Sequence, residues 1–254
     1  MADQTIGETV PQRRVLRLSG AEVRDFLQNL VTNDIAGLDT GLVYAALLTP
    51  QGKLISDFFL AADGADVLMD LPESQAATVL QRLTLYKLRA DVTIAETALH
   101  VRRGLGPAPE GAFPDPRHPA LGWRAIGAAP GSAPQIDWPA LRVAHLIPEM
   151  GVDLDGESYI LEAGFEALNG VDFRKGCYVG QEVTARMKHK TELRKGLARV
   201  RVEGEAGTGT PIEGETGKPV GTLLTRAGDE AIAYLRFDRA QGALKAGGAT
   251  VTRL

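Results

Sequence analysis

Along the first hundred residues the apolar positions change period several times, and each change marks an element. Residues 14–18 alternate as a short strand. In the following SGAEVRDFLQNLVTND, Val23, Phe26, Leu27 and Leu30 fall on one helical face. Ser19 and Glu22 have the spacing of a capping box, and Asn33-Asp34 is expected to stop the helix. LVYAALLT and KLISDFFLA read as strands joined by a Pro-Gln-Gly turn, and ADVLMDL, after Asp63-Gly64, as a third. Pro72 opens a second helix with Val79, Leu80, Leu83 and Tyr86 as its buried face, and DVTIAE returns as a strand. The order predicts an α+β arrangement with a mostly antiparallel sheet.

The periodicity then breaks. Seven prolines fall between Gly104 and Pro134, which reads as loop and linker around one short strand at Trp123 to Ile126. WPALRVAHLIP predicts a short helix with Leu141, Ala144 and His145 on one face and Pro148 at its end, and Gln181 to Lys190 has helical character. From Gly196 onward, alternation separated by glycines predicts a small all-β barrel. Three parts are expected: 1–100, 101–193 and 194–254.

The chain has 254 residues, 44% of them apolar and 24% charged, enough for a substantial core. Its formal net charge of −4 argues against a general nucleic-acid coat, and its apolar runs are too short for a membrane-spanning helix. The first residues lack the apolar stretch of a secretory signal, so a cytoplasmic protein is expected. There is one cysteine, and His100, His118, His145 and His189 are scattered in sequence. That excludes an internal disulfide and predicts no metal site within the chain alone, although Cys177 could share a cluster with a partner.

The cysteine lies in FRKGCYVGQEVTARMKHK. Gly176 and Gly180 flank it, Arg174 and Lys175 precede it, and a helix is expected to begin at Gly180 or Gln181. Cations and a helix start both lower a thiol pKa from its free value of about 8.5. Cys177 is therefore a candidate thiolate; the plainer alternative is a buried structural cysteine. Tyr178 could stack on a flat ring or pack in the core. Glu182 suits the first turn of a helix in either case. Arg186, Lys188, His189, Lys190, Arg194 and Lys195 form a basic cluster, read either as solvated helix-end cations or as a dock for an anionic tail. Arg142 reads as a surface ion pair or an anion ligand, and Asp57 as a solvated hairpin carboxylate.

At KGCYVGQE (175–182), with Arg186 following, the chain resembles the YgfZ/GcvT family, and more closely its folate-binding YgfZ-type members tied to iron–sulfur cluster assembly and repair. The resemblance extends to FLQNLVTNDI, LLTPQGKLISDFFL, DPR, LGWR, RVAHLIPE, LNGVDF and GKPVGTLLT, nearly the whole chain. It implies a GcvT-like ring of three subdomains, the first folate-binding-like, with a C-terminal small β-barrel. It implies tetrahydrofolate or a one-carbon derivative as ligand and no intrinsic metal. Iron–sulfur assembly or carrier proteins and client enzymes, tRNA-modifying ones included, would be its partners, with neither stable nucleic-acid binding nor a membrane. Cys177, Lys175 and Tyr178 are then the thiol motif, and Arg142, Glu162, Gly176, Gly180, Gln181, Glu182 and Arg186 the folate contacts. Two alternatives accompany this reading: a glycine-cleavage-type aminomethyltransferase using Asp57 as acid–base group, and a non-catalytic folate-fold module. The transferase pattern asks for Asp-Asp at 56–57 and an acid at 144. This chain has Ser56-Asp57 and Ala144.

Overall fold

A computed structural model describes residues 7–189 and 192–254, so Lys190 of the basic cluster lies outside the described residues. The chain divides into two compact units: Met1–Ile136 with Glu166–Val183, and Asp137–Phe165 with Thr184–Leu254.

The first unit contains β1 (Glu8–Thr9), β2 (Arg13–Ser19), α1 (Val23–Gln28), β3 (Val43–Leu48), β4 (Leu54–Asp63), β5 (Asp66–Pro72), α2 (Glu73–Lys87), β6 (Thr93–Glu96), β7 (His100–Gly104), β8 (Phe113–Pro114) and β9 (Trp123–Gly127). Five strands form an antiparallel sheet, as the order of elements predicted, and their spatial order is β3-β4-β5-β2-β6. Leu16, Leu18, Ala45, Leu47, Phe58, Leu60 and Met69 pack with the buried side chains of α1 and α2, namely Val23, Phe26, Leu27, Ala76, Val79 and Leu83. Leu80 and Tyr86 are only half-buried. Fully burying each large apolar side chain is worth about 1.5–3 kcal/mol, so this layer dominates the unit's stability.

The opposite face is buried too. Val15, Ala61 and Leu68 meet Val101 and Val10 there, with Ile126 against them. β3, β4 and β5 are therefore covered on both sides and read as near-continuous apolar runs. The cover is a second antiparallel sheet, β1-β7-β9-β8, whose strands β8 and β9 come from the proline-rich stretch. The strand expected at Trp123 to Ile126 is β9, but reading the rest as linker missed the sheet around it: the prolines fall outside its central strands, Pro114 lying on the edge strand β8, where a missing N–H is tolerated.

The capping box does not form. α1 begins after Glu22 with no side-chain cap; the Glu22 carboxylate instead accepts from the Asp91 N–H at 2.6 Å. Asp34 does not stop α1 either. It caps a following 3-10 turn, accepting from the Ala36 N–H.

The second unit holds α3 (Trp138–Ala144) and a closed barrel of β10 (Lys195–Glu203), β11 (Pro211–Glu213), β12 (Pro219–Ala227), β13 (Glu230–Arg236), β14 (Leu244–Ala246) and β15 (Ala249–Arg253). The strand order is β10-β13-β12-β11-β14-β15, with β15 pairing back onto β10, around Val200, Ile212, Leu223, Ala233, Leu235 and Val251. α3 buries Trp138, Arg142 and Val143, while Ala144 and His145 are exposed. The predicted face was rotated because Arg142, counted as polar, points inward. Among the described residues no helix is long and apolar enough to cross a membrane.

Candidate functional site

The cysteine segment belongs to the first unit and is fixed there at both ends. At its start, Lys175 is buried, and its ammonium donates to the carbonyls of Gln28 (2.6 Å), Val31 (2.5 Å) and Asn33 (3.1 Å). These carbonyls lie at and just beyond the C-terminal end of α1, where backbone acceptors lack helical partners. Burial lowers this ammonium to about 8, against the pull of Asp34 and Asp172. The Tyr178 ring, itself buried, lies 5.2 Å from the Lys175 nitrogen.

At its end, Gly180 adopts φ +83°, and a Cβ there would stand 2.6 Å from the Thr49 carbonyl oxygen. Only glycine combines that conformation with that approach. Thr49 belongs to the β3–β4 turn, whose own Gly52 has φ +77° and would put a Cβ 2.8 Å from Val183. The Gln181 side-chain carbonyl accepts from the Tyr178 N–H at 3.3 Å and closes the turn before α4 (Gln181–Lys188). Between these anchors Gly176 and Cys177 are exposed; nothing stands within 4 Å of a Cβ built on Gly176. The buried alternative for the cysteine is thus excluded.

Upstream of the thiol, Asn33, Glu166, Asn169, Asp172, Phe173 and Arg174 line a cleft of about 430 Å³. The Arg174 side chain is 91% exposed and pairs with Asp172 at 3.3 Å. The Arg174 N–H and guanidinium hold the Asp172 carboxyl below its ordinary range. Asn169 sits at φ +54°, its amide donating to the Pro116 carbonyl, while Asn33 donates to the carbonyls of Asn169 and Tyr44.

The remaining predicted contacts lie in the second unit or on α4. Arg142 is buried, not a surface pair: it meets Asp153 at 2.7 Å and Glu149 at 3.0 Å. Asp153 also accepts from the Thr225 N–H and hydroxyl. Glu162 accepts from the Tyr234 hydroxyl at 2.6 Å; burial and that carboxylate push the Tyr234 phenol upward. Glu182 and Arg186 are exposed on α4. Among the described residues no group of three or more metal-capable side chains occurs.

Sequence reasoning missed a buried charged cluster in the first unit. Asp70 binds Arg13 and Arg124, both at 2.5 Å, and Asp115 binds Arg117 at 2.8 Å and lies 3.9 Å from Arg124. Arg124 and Arg117 lie over the Phe59 ring, 4.0 and 4.8 Å from its centre. Burial alone would raise both carboxyls, but the guanidiniums hold them below the usual range. Asp57, expected in solvent, is buried beside this cluster and accepts from the Tyr44 hydroxyl at 2.8 Å. Its other oxygen has no hydrogen-bond partner among the described residues. Asp70, within the otherwise apolar VLMDLP, was the available signal.

Residues 194–253 match the family described as "CAF17, C-terminal beta-barrel domain". The chain is 30% identical to the mouse (Mus musculus) "Iron-sulfur cluster assembly factor IBA57, mitochondrial", over 91% of this chain and 78% of that protein. It belongs to the IBA57 family. The human protein of the same name is 29% identical with the same coverage. The homolog of Mycosarcoma maydis is 31% identical over 73% of this chain and 54% of its own length. The chain spans about half the length of such fungal IBA57 relatives. These mitochondrial names overturn the cytoplasmic location expected from the sequence. In fold the chain is GcvT-like: it matches the aminomethyltransferase T of the glycine cleavage system from Bartonella henselae with TM-score 0.77 at 10% identity. The match covers 99% of this chain and 86% of that one. At that identity the likeness shows the fold alone.

Proposed function

We propose that this IBA57-family chain is an accessory protein of iron–sulfur cluster assembly or repair, of the YgfZ type, in which Cys177 is the working thiol. The observation that carries the reading is the exposure of the only cysteine on a turn anchored at both ends. An exposed thiol is open to redox exchange or to soft-metal ligation shared with a partner; a sealed one is not. Assembly or carrier proteins and client enzymes are the corresponding partners.

The reading includes a folate ligand. A pterin presents N–H donors on a flat ring and calls for a carboxylate and an apolar face. Arg142 and Glu162 are both engaged inside the second unit. The cleft is lined by Glu166, Phe173 and Asp172, whose carboxylate is paired with the exposed Arg174, and its volume falls within the range of small-molecule sites. Arg174, at the same cleft, suits the anionic glutamate tail.

The test is replacement of Cys177 by Ala in cells lacking the native gene, with client iron–sulfur enzymes assayed under oxidative stress. Loss of client activity is expected; full activity would remove the thiol from the reading. Calorimetry with tetrahydrofolate, on wild type and Asp172→Ala, decides the ligand separately.

A further inference from the structure

The thiol motif contains a second polar group whose role its sequence alone does not reveal. Lys175 stands two residues from Cys177, yet its ammonium points into the unit and meets three backbone carbonyls from residues 28–33. An ammonium has three N–H donors, and here each has an acceptor. The acceptors are carbonyls left over where α1 ends, so the cation also meets the negative end of that helix. On the far side of the thiol, Gly180 is pressed against the Thr49 carbonyl in a conformation that other residues rarely adopt. Val179, between them, packs against the apolar core. Cys177 is therefore exposed on a short span whose two ends are pinned to different parts of one unit, the end of α1 and the β3–β4 turn.

We propose that Lys175 is a positioning residue: its ammonium, plugged into the carbonyls of Gln28, Val31 and Asn33, holds the exposed Cys177 turn in one place for its partner. The proposal rests on the reading of Cys177 as the working thiol. It differs from a role in lowering the thiol pKa, because the cation's donors face backbone carbonyls. Removing the ammonium leaves three carbonyls without a donor and frees one end of the span, while the exposed thiol keeps its chemistry.

Because the chain has a single cysteine, a nitroxide attached to wild-type protein reports on this turn and nowhere else. The expected spectrum is broad for wild type. It sharpens in Lys175→Ala, with a several-fold shorter correlation time, and n-propylammonium restores the breadth. Tetramethylammonium, which has the charge but no N–H donor, does not. Lys175→Met keeps the apolar stem and serves if the alanine variant fails to fold; Lys188→Met, on the exposed part of α4, leaves the spectrum unchanged. In cells, Lys175→Ala lowers client iron–sulfur activity several-fold. A spectrum as broad in Lys175→Ala or Lys175→Met as in wild type overturns the proposal. So does a loosened turn with undiminished client activity when Cys177→Ala abolishes it. If Cys177→Ala itself leaves clients active, the thiol reading fails, and the line shape still decides whether Lys175 holds the turn.

Discussion

Tyr44 donates its hydroxyl to Asp57 at 2.8 Å, from one strand to its neighbour, on the face of the first sheet that also carries Phe59, Asp70 and Arg13. Burial, then the Asp57 charge, raises the Tyr44 phenol well above its ordinary value, so it remains a donor throughout the working pH range. Tyr44→Phe deprives a buried carboxylate of its hydrogen bond. The expected loss is about 1–3 kcal/mol in urea unfolding. In a double-mutant cycle with Asp57→Asn the two changes should be non-additive; simple additivity would mean that the bond contributes nothing.

Asp70 holds two guanidiniums in the interior. Asp70→Asn leaves Arg13 without its counter-charge and Arg124 with Asp115 alone, 3.9 Å away, and a destabilisation of about 3–5 kcal/mol is expected. The same pairs set the acid limit. The folded pKa values of Asp70 and Asp115 lie below the unfolded value of about 3.9, so their stabilisation is complete above that pH and is lost as pH falls through the folded values. The thermal midpoint should therefore drop steeply below about pH 4, and a circular-dichroism series from neutral to acid would show it. A flat profile down to pH 2.5 would contradict the argument.

Gly180 and Gly176 look equivalent in sequence, yet they should respond differently. Gly180→Ala forces a side chain into φ +83° against the Thr49 carbonyl, and a cost of about 1–3 kcal/mol is expected. Gly176→Ala meets open space and should stay within about 0.5 kcal/mol of wild type. Thermal unfolding of the pair checks this; equal effects would mean that the turn is not seated on Thr49.

In the second unit, Asp153 joins Arg142 to Thr225 of β12. Asp153→Ala leaves the Arg142 cation with Glu149 as its remaining carboxylate and strands two Thr225 donors, whereas Glu149→Ala removes only a half-exposed carboxylate. The first should cost at least about 3 kcal/mol and the second less than about 1 kcal/mol. Guanidinium unfolding of each variant gives the comparison.

A period-3.6 pattern made both helices of the first unit legible, and alternation the barrel, because each buries one apolar face. β3, β4 and β5, buried on both sides, were legible as short apolar runs bounded by turns. The second sheet was hidden, since its prolines punctuate the sequence without entering β7 or the middle of β9. The α3 face was misjudged because an inward arginine reads as polar, and Asp57 because only its partner Tyr44 reveals that it is buried. The cysteine motif was visible as a string, but not the direction of Lys175. Its acceptors are backbone carbonyls, which no side-chain identity records.

Those carbonyls have one further consequence. Gln28, Val31 and Asn33 precede the lysine by 147, 144 and 142 positions in the chain. A ribosome emitting this protein from its N-terminus makes the socket early and the plug late, with Asp137–Phe165 of the other unit emerging between them. Contacts so distant in sequence are among the slowest to form. The thiol turn can reach its final shape only once residue 175 has been made, and a nascent chain stalled before Lys175 carries an unfilled socket.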